Sequence, residues 1–238
     1  MKKSRHDFCL FNFEISTFCN AKCPTCSRTY GNQYYVYGER KIKNKHLSIE
    51  DFENIILNNS KVFKKLKYKT LIAKFCGELG DPLMHPKLSD ITGLAELVFD
   101  KVEIFTNGGL RNPSWIKKFL NKNKKTNFVF GIDGITDNVN QKYRINVNTK
   151  LALNNMLESA KHRYTRWDFT IFNHNHKELL DVIEFSNQYN IDLLCRFNGR
   201  PYSIITDENL KKCEKILRDN DITFYSCKQS IKKKNDTL

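Results

Sequence analysis

At 238 residues the chain is long enough for one α/β domain with a short appendage and short for two complete domains. Hydrophobic residues make up 40% and aromatics 12%, with no run near the ~18 apolar residues of a membrane helix, so the reading is a soluble globular protein with no membrane partner. The formal charge of +14 invites a nucleic-acid partner, but 30 lysines, 10 arginines and 26 asparagines scattered through every segment mark a compositional bias more than a binding stripe.

The opening stretch "MKKSRHDFCLFNFEIS" alternates polar and apolar residues where a signal peptide needs an apolar core, so the expected location is cytoplasmic. Thiols stay reduced there, and clustered cysteines more often bind metal than form disulfides.

β-type runs then alternate with amphipathic helical windows, the pattern of a parallel α/β fold. The first strand is expected over 10–16 and runs into a cysteine-rich loop. A helix follows at 48–66, capped by Ser48, then a strand at 70–76, a helix at 88–99 and a strand at 101–107. Asn112-Pro113 opens another helix, and 127–133 returns as a strand. Two further units pair helices at 149–162 and 176–189 with strands at 167–172 and 191–197. Six strands with five helices fall short of a closed eight-fold barrel, so the fold class is α/β, a partial (β/α)6 TIM-like open barrel. The main domain is set at 8–199. Residues 200–238, with a helix at 207–219 and the run "ITFYSC" at 222–227, form a short C-terminal α/β appendage.

In such folds active sites form where loops leave the carboxyl ends of the strands. The polar signals of this chain fall there: the cysteine loop after strand one, Gly77-Glu78-Leu79-Gly80-Asp81-Pro82 after strand two, Thr106-Asn107-Gly108 after strand three, Asp133-Gly134 after strand four and Asn173-His174-Asn175 after strand five.

"STFCNAKCPTCSRT" places Cys19, Cys23 and Cys26 within eight residues. Pro24 and the flanking Asn20, Lys22 and Thr25 argue against a thiol stripe inside a buried helix. Zinc takes cysteine thiolates but wants four ligands in a structural site, and only Cys9 or His6 is near in sequence. A cubane iron–sulfur cluster on three thiolates leaves one iron open for a small molecule.

Cys19-x-x-x-Cys23-x-x-Cys26 after a first strand resembles the cluster motif of the radical S-adenosylmethionine (radical SAM) enzymes. "GDPLMHP" at 80–86 is similar to that family's Gly-Glu-Pro loop, and "TNGG" at 106–109 and "IDG" at 132–134 resemble its later strand-end signatures. "YR" at 143–144 and "WDFTIFNHN" at 167–175 are similar to the branch that often carries a SPASM or twitch extension, here truncated.

The resemblance implies one 4Fe-4S cluster on Cys19, Cys23 and Cys26 and S-adenosylmethionine on its open iron. It also implies a 5′-deoxyadenosyl radical that abstracts hydrogen from an unidentified peptide, protein or small molecule, and an electron donor such as a flavodoxin or ferredoxin. The residues it assigns to the cofactor are Gly77, Glu78, Gly80, Asp81, Asn107, Asp133, Arg144 and Asn175. Plain structural readings stand beside these: turn formation for Asp81, Asn107 and Asp133, a helix cap for Asn175 and a solvated side chain for Arg144. Thr25 stands where the family often has an aromatic, and Gly131 where it often has serine. Cys76, Cys195 and Cys213 read as buried residues, whereas Cys227 lies where an extended relative would begin an auxiliary-cluster region. The competing function is a zinc-stabilised, basic nucleic-acid-binding module without catalysis.

Overall fold

In the computed structural model, described for residues 8–30, 43–66, 68–199 and 202–225, the strands form one seven-stranded sheet. In chain order the elements are β1 (Phe8–Phe13), α1 (Ser27–Tyr30), α2 (Ile49–Lys65), β2 (Thr70–Phe75), α3 (Leu88–Val98), β3 (Lys101–Thr106), α4 (Pro113–Lys122) and β4 (Thr126–Gly131). They continue as α5 (Asp137–Asn140), α6 (Thr149–Ala160), β5 (Thr165–Ile171), α7 (Leu179–Gln188), β6 (Asp192–Phe197), α8 (Asp207–Asp219) and β7 (Thr223–Tyr225). Short 3-10 turns at Pro82–Met84 and His176–Glu178 precede α3 and α7. Among the described residues no helix is long and apolar enough to cross a membrane.

The strands pair in sequential order and all in parallel. Right-handed crossovers in that order place every connecting helix on the same face, and the twist curls the sheet into a half-barrel. Alternation along the strands then separates two surfaces. Phe75, Val102, Ile104, Phe128, Phe130, Trp167, Phe169 and Cys195 are buried in the helix-facing core. Lys74, Glu103, Phe105, Arg166, Asp168 and Arg196 lie between these positions, half-buried, on the inner face.

Three of the connecting helices start at a capping side chain. Ser48 accepts from Asp51 N at 3.0 Å, Asn112 from Trp115 N at 2.9 Å and Asn148 from Leu151 N at 2.8 Å, each satisfying a donor left open by the first helical turn. Three boundaries differ from expectation. The first strand ends at Phe13, opposite Phe75, because β2 turns away at Gly77; Ser16 instead bridges to His46 in antiparallel fashion. The helix expected at 176–189 is a 3-10 turn followed by α7. "ITFYSC", expected within the appendage, supplies β7 at Thr223–Tyr225, which pairs with β6 and raises the strand count from six to seven. Its last two residues, Ser226 and Cys227, lie outside the described residues.

Trp167 anchors the centre of the core. It is fully buried on β5, and its indole Nε1 donates to the Ile132 carbonyl at 2.7 Å. Trp167→Ala removes the largest side chain of the core and leaves that carbonyl without its donor, so thermal or urea unfolding should show a loss of about 3–5 kcal/mol.

Candidate functional site at the half-barrel mouth

The cysteine loop is held by the turn that follows β2. Asp81 N donates to the Phe18 carbonyl at 2.8 Å, and Arg28 on α1 donates to the carbonyls of Thr17 and Leu79. Gly80 permits this approach: a Cβ there would stand 2.1 Å from the Ser16 carbonyl oxygen and 2.8 Å from that of Phe18. Any side chain at 80 would push the two loops apart. Within the loop, Ala21 N donates to Cys19 Sγ at 3.3 Å, and Cys26 Sγ lies 3.8 Å from the Glu78 carbonyl that it faces.

Asp81 is 3% exposed, and its carboxylate is occupied by this chain's own donors. Leu83 N reaches it at 2.9 Å, the Thr106 hydroxyl at 2.9 Å and Asn107 N at 2.8 Å. It therefore caps the 3-10 turn and ties the end of β2 to the end of β3. Burial raises its pKa, and the bonds from Asn107, Leu83 and Thr106 oppose that rise. Asn107 extends the linkage: Nδ2 donates to Asn20 Oδ1 at 2.8 Å and lies 3.8 Å from Cys19 Sγ, while Oδ1 accepts from Gly109 N.

A second linked group forms on the β4 side. Asp133 is fully buried; one oxygen accepts from Arg144 Nε at 2.6 Å and the other from Thr170 N at 2.8 Å. Arg144, 22% exposed at its side chain, stands near the Cys23 thiol, where its charge opposes the rise that burial causes. Burial works against the guanidinium charge, and the Asp133 carboxylate more than restores it, so its pKa is raised. Arg144 is thus a paired residue between β4 and the cysteine loop. Asn175 is no helix cap: its buried amide donates to the carbonyls of Asp133 and Thr170 and accepts from Phe172 N. Thr25 Oγ1 lies 2.9 Å from the Tyr143 hydroxyl, and the Tyr143 ring packs 4.5 Å from Phe172, so aromatic surface reaches the loop from residues 143 and 172.

Glu14, which sequence reasoning did not single out, sits where β1 gives way to the loop. Its carboxylate accepts from Cys76 Sγ and Glu78 N, both at 3.0 Å, and from Leu79 N at 3.3 Å, so it shapes the Gly77–Gly80 turn. Burial raises its pKa, against those three bonds. The available signal was a lone carboxylate at a strand end directly before the cysteines.

The thiols sit in surroundings that disfavour a bare thiolate. Burial first, then the charge of Asp81, pushes Cys19 up to about 12, and burial raises Cys23 despite the nearby Arg144. A bound metal deprotonates coordinating thiols outright, and three thiols on one loop are the donor type of iron–sulfur clusters, so the residues present fit such a group. Among the described residues no three His, Cys, Asp or Glu side chains converge as on a single metal ion. Cys9, a candidate fourth zinc ligand, lies four residues before the end of β1, roughly 13 Å along the strand; His6 is outside the described residues. Cys195 and Cys213 are buried between the sheet and α8, where burial raises both thiols.

A sequential parallel half-barrel with five strand-end loops gathered around three thiols defines a TIM-like α/β protein with its working end at the carboxyl ends of the strands. Residues 13–186 match the Radical SAM superfamily, and the chain belongs to that superfamily, a class of enzymes. Comparison with curated proteins finds no match. Among solved structures, Streptococcus suis SuiB bound to S-adenosylmethionine is similar with a TM-score of 0.67 at 15% identity, over 94% of this chain and 51% of that one. SuiB bound to the precursor peptide SuiA gives 0.65 at 14% identity over 94% and 49%, and native anSMEcpe with bound AdoMet gives 0.64 at 16% over 91% and 64%. The chain spans about half the length of SuiB, and at these identities the likeness is one of fold.

Gly131 gives a direct test of the packing around Arg144. A Cβ at 131 would meet Arg144 Nη2 at 2.9 Å and Cζ at 3.3 Å. Gly131→Ala should destabilise the protein by about 1–3 kcal/mol. In an Arg144→Ala background the same change should cost far less, a non-additivity that a double-mutant cycle of unfolding measurements reads directly.

Proposed function

We propose that the chain is a radical SAM iron–sulfur enzyme in which Cys19, Cys23 and Cys26 hold one 4Fe-4S cluster and the loops after β2, β3, β4 and β5 hold S-adenosylmethionine. The observation that carries this reading is the cross-linking of the three-thiol loop to those strand ends, by Asp81 N to the Phe18 carbonyl, Asn107 to Asn20 and Lys22 N to the Ile145 carbonyl. When bound, the cluster would supply an electron that cleaves S-adenosylmethionine to methionine and a 5′-deoxyadenosyl radical, which takes hydrogen from the substrate.

The chain's own residues orient and enclose. The Gly77-Glu78-Leu79-Gly80 turn, set by Glu14 and Arg28, presents backbone to the methionine ammonium, while Asp81 holds the turn from beneath. Arg144, with Nε committed to Asp133, has its terminal nitrogens for the methionine carboxylate, a planar donor matched to a planar acceptor. Asn107 braces Asn20 and the first cysteine, and Asn175 locks the β4 and β5 loops so that Asp133 is fixed where the ribose would pass.

A peptide is the favoured substrate class, supported by the SuiB structure that contains the precursor peptide SuiA. A flavodoxin- or ferredoxin-type protein would deliver the electron, in the cytoplasm where the thiols stay reduced. Residues 8–199 would form the functional core, with 200–238 as an extension whose β7 lengthens the sheet.

The test is anaerobic reconstitution with iron and sulfide. The wild-type chain should turn brown, bind about four irons and release 5′-deoxyadenosine with reductant and S-adenosylmethionine. A protein with Cys19→Ala, Cys23→Ala and Cys26→Ala should do none of these; 5′-deoxyadenosine from that variant would refute the ligand assignment.

A further inference from the structure

Glu14 holds the Gly77–Gly80 turn from one side through three donors, and this fixes what the turn presents on the other. Its Oε1 accepts from the Cys76 thiol and from Glu78 N, both at 3.0 Å, and its Oε2 from Leu79 N at 3.3 Å. Every described peptide bond is trans, and in a trans peptide the carbonyl points opposite to the N–H of the same unit. The carbonyls of Gly77 and Glu78 therefore point away from Glu14. For Glu78 the direction is visible, since its oxygen lies 3.8 Å from Cys26 Sγ, on the side of the cysteine loop. The next two carbonyls are otherwise engaged. That of Leu79 accepts from Arg28, and that of Gly80 packs so closely on Gly77 that a Cβ at 77 would stand 2.3 Å from its oxygen. The turn thus offers the cysteine loop two acceptors with a carboxylate behind them. N–H groups that donate to a carboxylate polarise their peptide units, so the carbonyls of those units become stronger acceptors.

We propose that Glu14 is a positioning residue that makes this turn selective for an ammonium group, aiming and polarising the Gly77 and Glu78 carbonyls toward the α-amino group of S-adenosylmethionine. Asp81, the carboxylate that the sequence offers for that ammonium, is spent on Leu83 N, the Thr106 hydroxyl and Asn107 N. Glu14 supplies the negative charge in its place, through the backbone and without touching the cofactor. This role rests on the enzyme reading in taking S-adenosylmethionine as the occupant of the mouth.

Anaerobic isothermal titration of the cluster-reconstituted protein with S-adenosylmethionine and with its deamino analogue, which has hydrogen in place of the α-amino group, tests it. Glu14→Gln keeps the shape, loses the charge and turns one acceptor into a donor. It should weaken S-adenosylmethionine at least about tenfold and leave the analogue within about threefold of wild type. Cys76→Ala removes one donor but keeps the carboxylate and both backbone bonds, so both ligands should stay within about threefold. Iron content near about four per chain and an unchanged urea midpoint show that the variants are loaded and folded. If Glu14→Gln loads less iron, Glu14→Asp, one carbon too short to span Glu78 N and Leu79 N, is read for the same selective loss. Equal weakening of both ligands, weakening of neither, or the selective loss appearing in Cys76→Ala would overturn the proposal. A loaded wild type that binds no S-adenosylmethionine would sink the enzyme reading and this role with it. A wild type that binds it, beside a Glu14→Gln variant with the full preference for the amino group, would sink the role of Glu14 alone.

Discussion

The buried carboxylate of Asp81 is the interaction on which the working end depends. A carboxylate withdrawn from water is stable only when its lone pairs are met. Here backbone groups of residues 83 and 107 and the hydroxyl of residue 106 meet them. Each of those donors belongs to a segment that must be placed relative to the thiols. Thr106 and Asn107 end β3, and Asn107 reaches on to Asn20. Asp81 N, from the same residue, holds Phe18 just before Cys19. One side chain and its own amide therefore set the spacing of two strand ends and the cysteine loop. Asp133 does the same on the other flank through Arg144 and Thr170. The mouth is built from two buried anions, each wrapped in donors from loops distant in sequence.

The division of the sheet into two faces follows from a simpler constraint. Sequential parallel strands with right-handed crossovers put all helices on one side, so that side must be apolar and the other need not be. Phe75, Phe128, Phe130, Trp167 and Phe169 face the helices and exclude water, whereas Lys74, Phe105, Arg166, Asp168 and Arg196 remain half-buried on the inner face. Charges there are tolerated because Asp168 pairs with Arg166 on its own strand and with Arg196 across from β6, while Lys74 lies over the Phe105 ring.

Much of this architecture was readable in the chain. Turn residues at the ends of β-type runs located five of the loops, and Ser48 and Asn112-Pro113 located the starts of α2 and α4, because both are local effects of a few residues. The cysteine spacing, together with its likeness to a known family, pointed to the chemistry. Long-range contacts were less legible. Asn175-His176-Lys177-Glu178 has the form of a helix cap, but the Asn175 amide turns inward to the carbonyl of Asp133 in the loop after β4 and to that of Thr170 on β5, a choice made by the neighbouring strands. Glu14 reads as part of a strand until β2 folds back and brings Glu78 N and Leu79 N onto it. β7 is three residues long, too short for an alternation pattern, and β6 alone gives it a partner. Gly131 looks like a lost polar contact; in the fold it is the space that the Arg144 guanidinium fills.

The separation in sequence between the cysteine loop and its supports also has a meaning in time. The loop is complete by Thr29, yet the residues that brace it arrive at 81, 107 and 145. At a synthesis rate of about 5–20 residues per second, the interval from Cys26 to Ile145 is on the order of ten seconds. During that interval the loop lacks the contacts with the ends of β2 and β3 that hold it in the finished fold, so its final shape is set only after those later loops have been made.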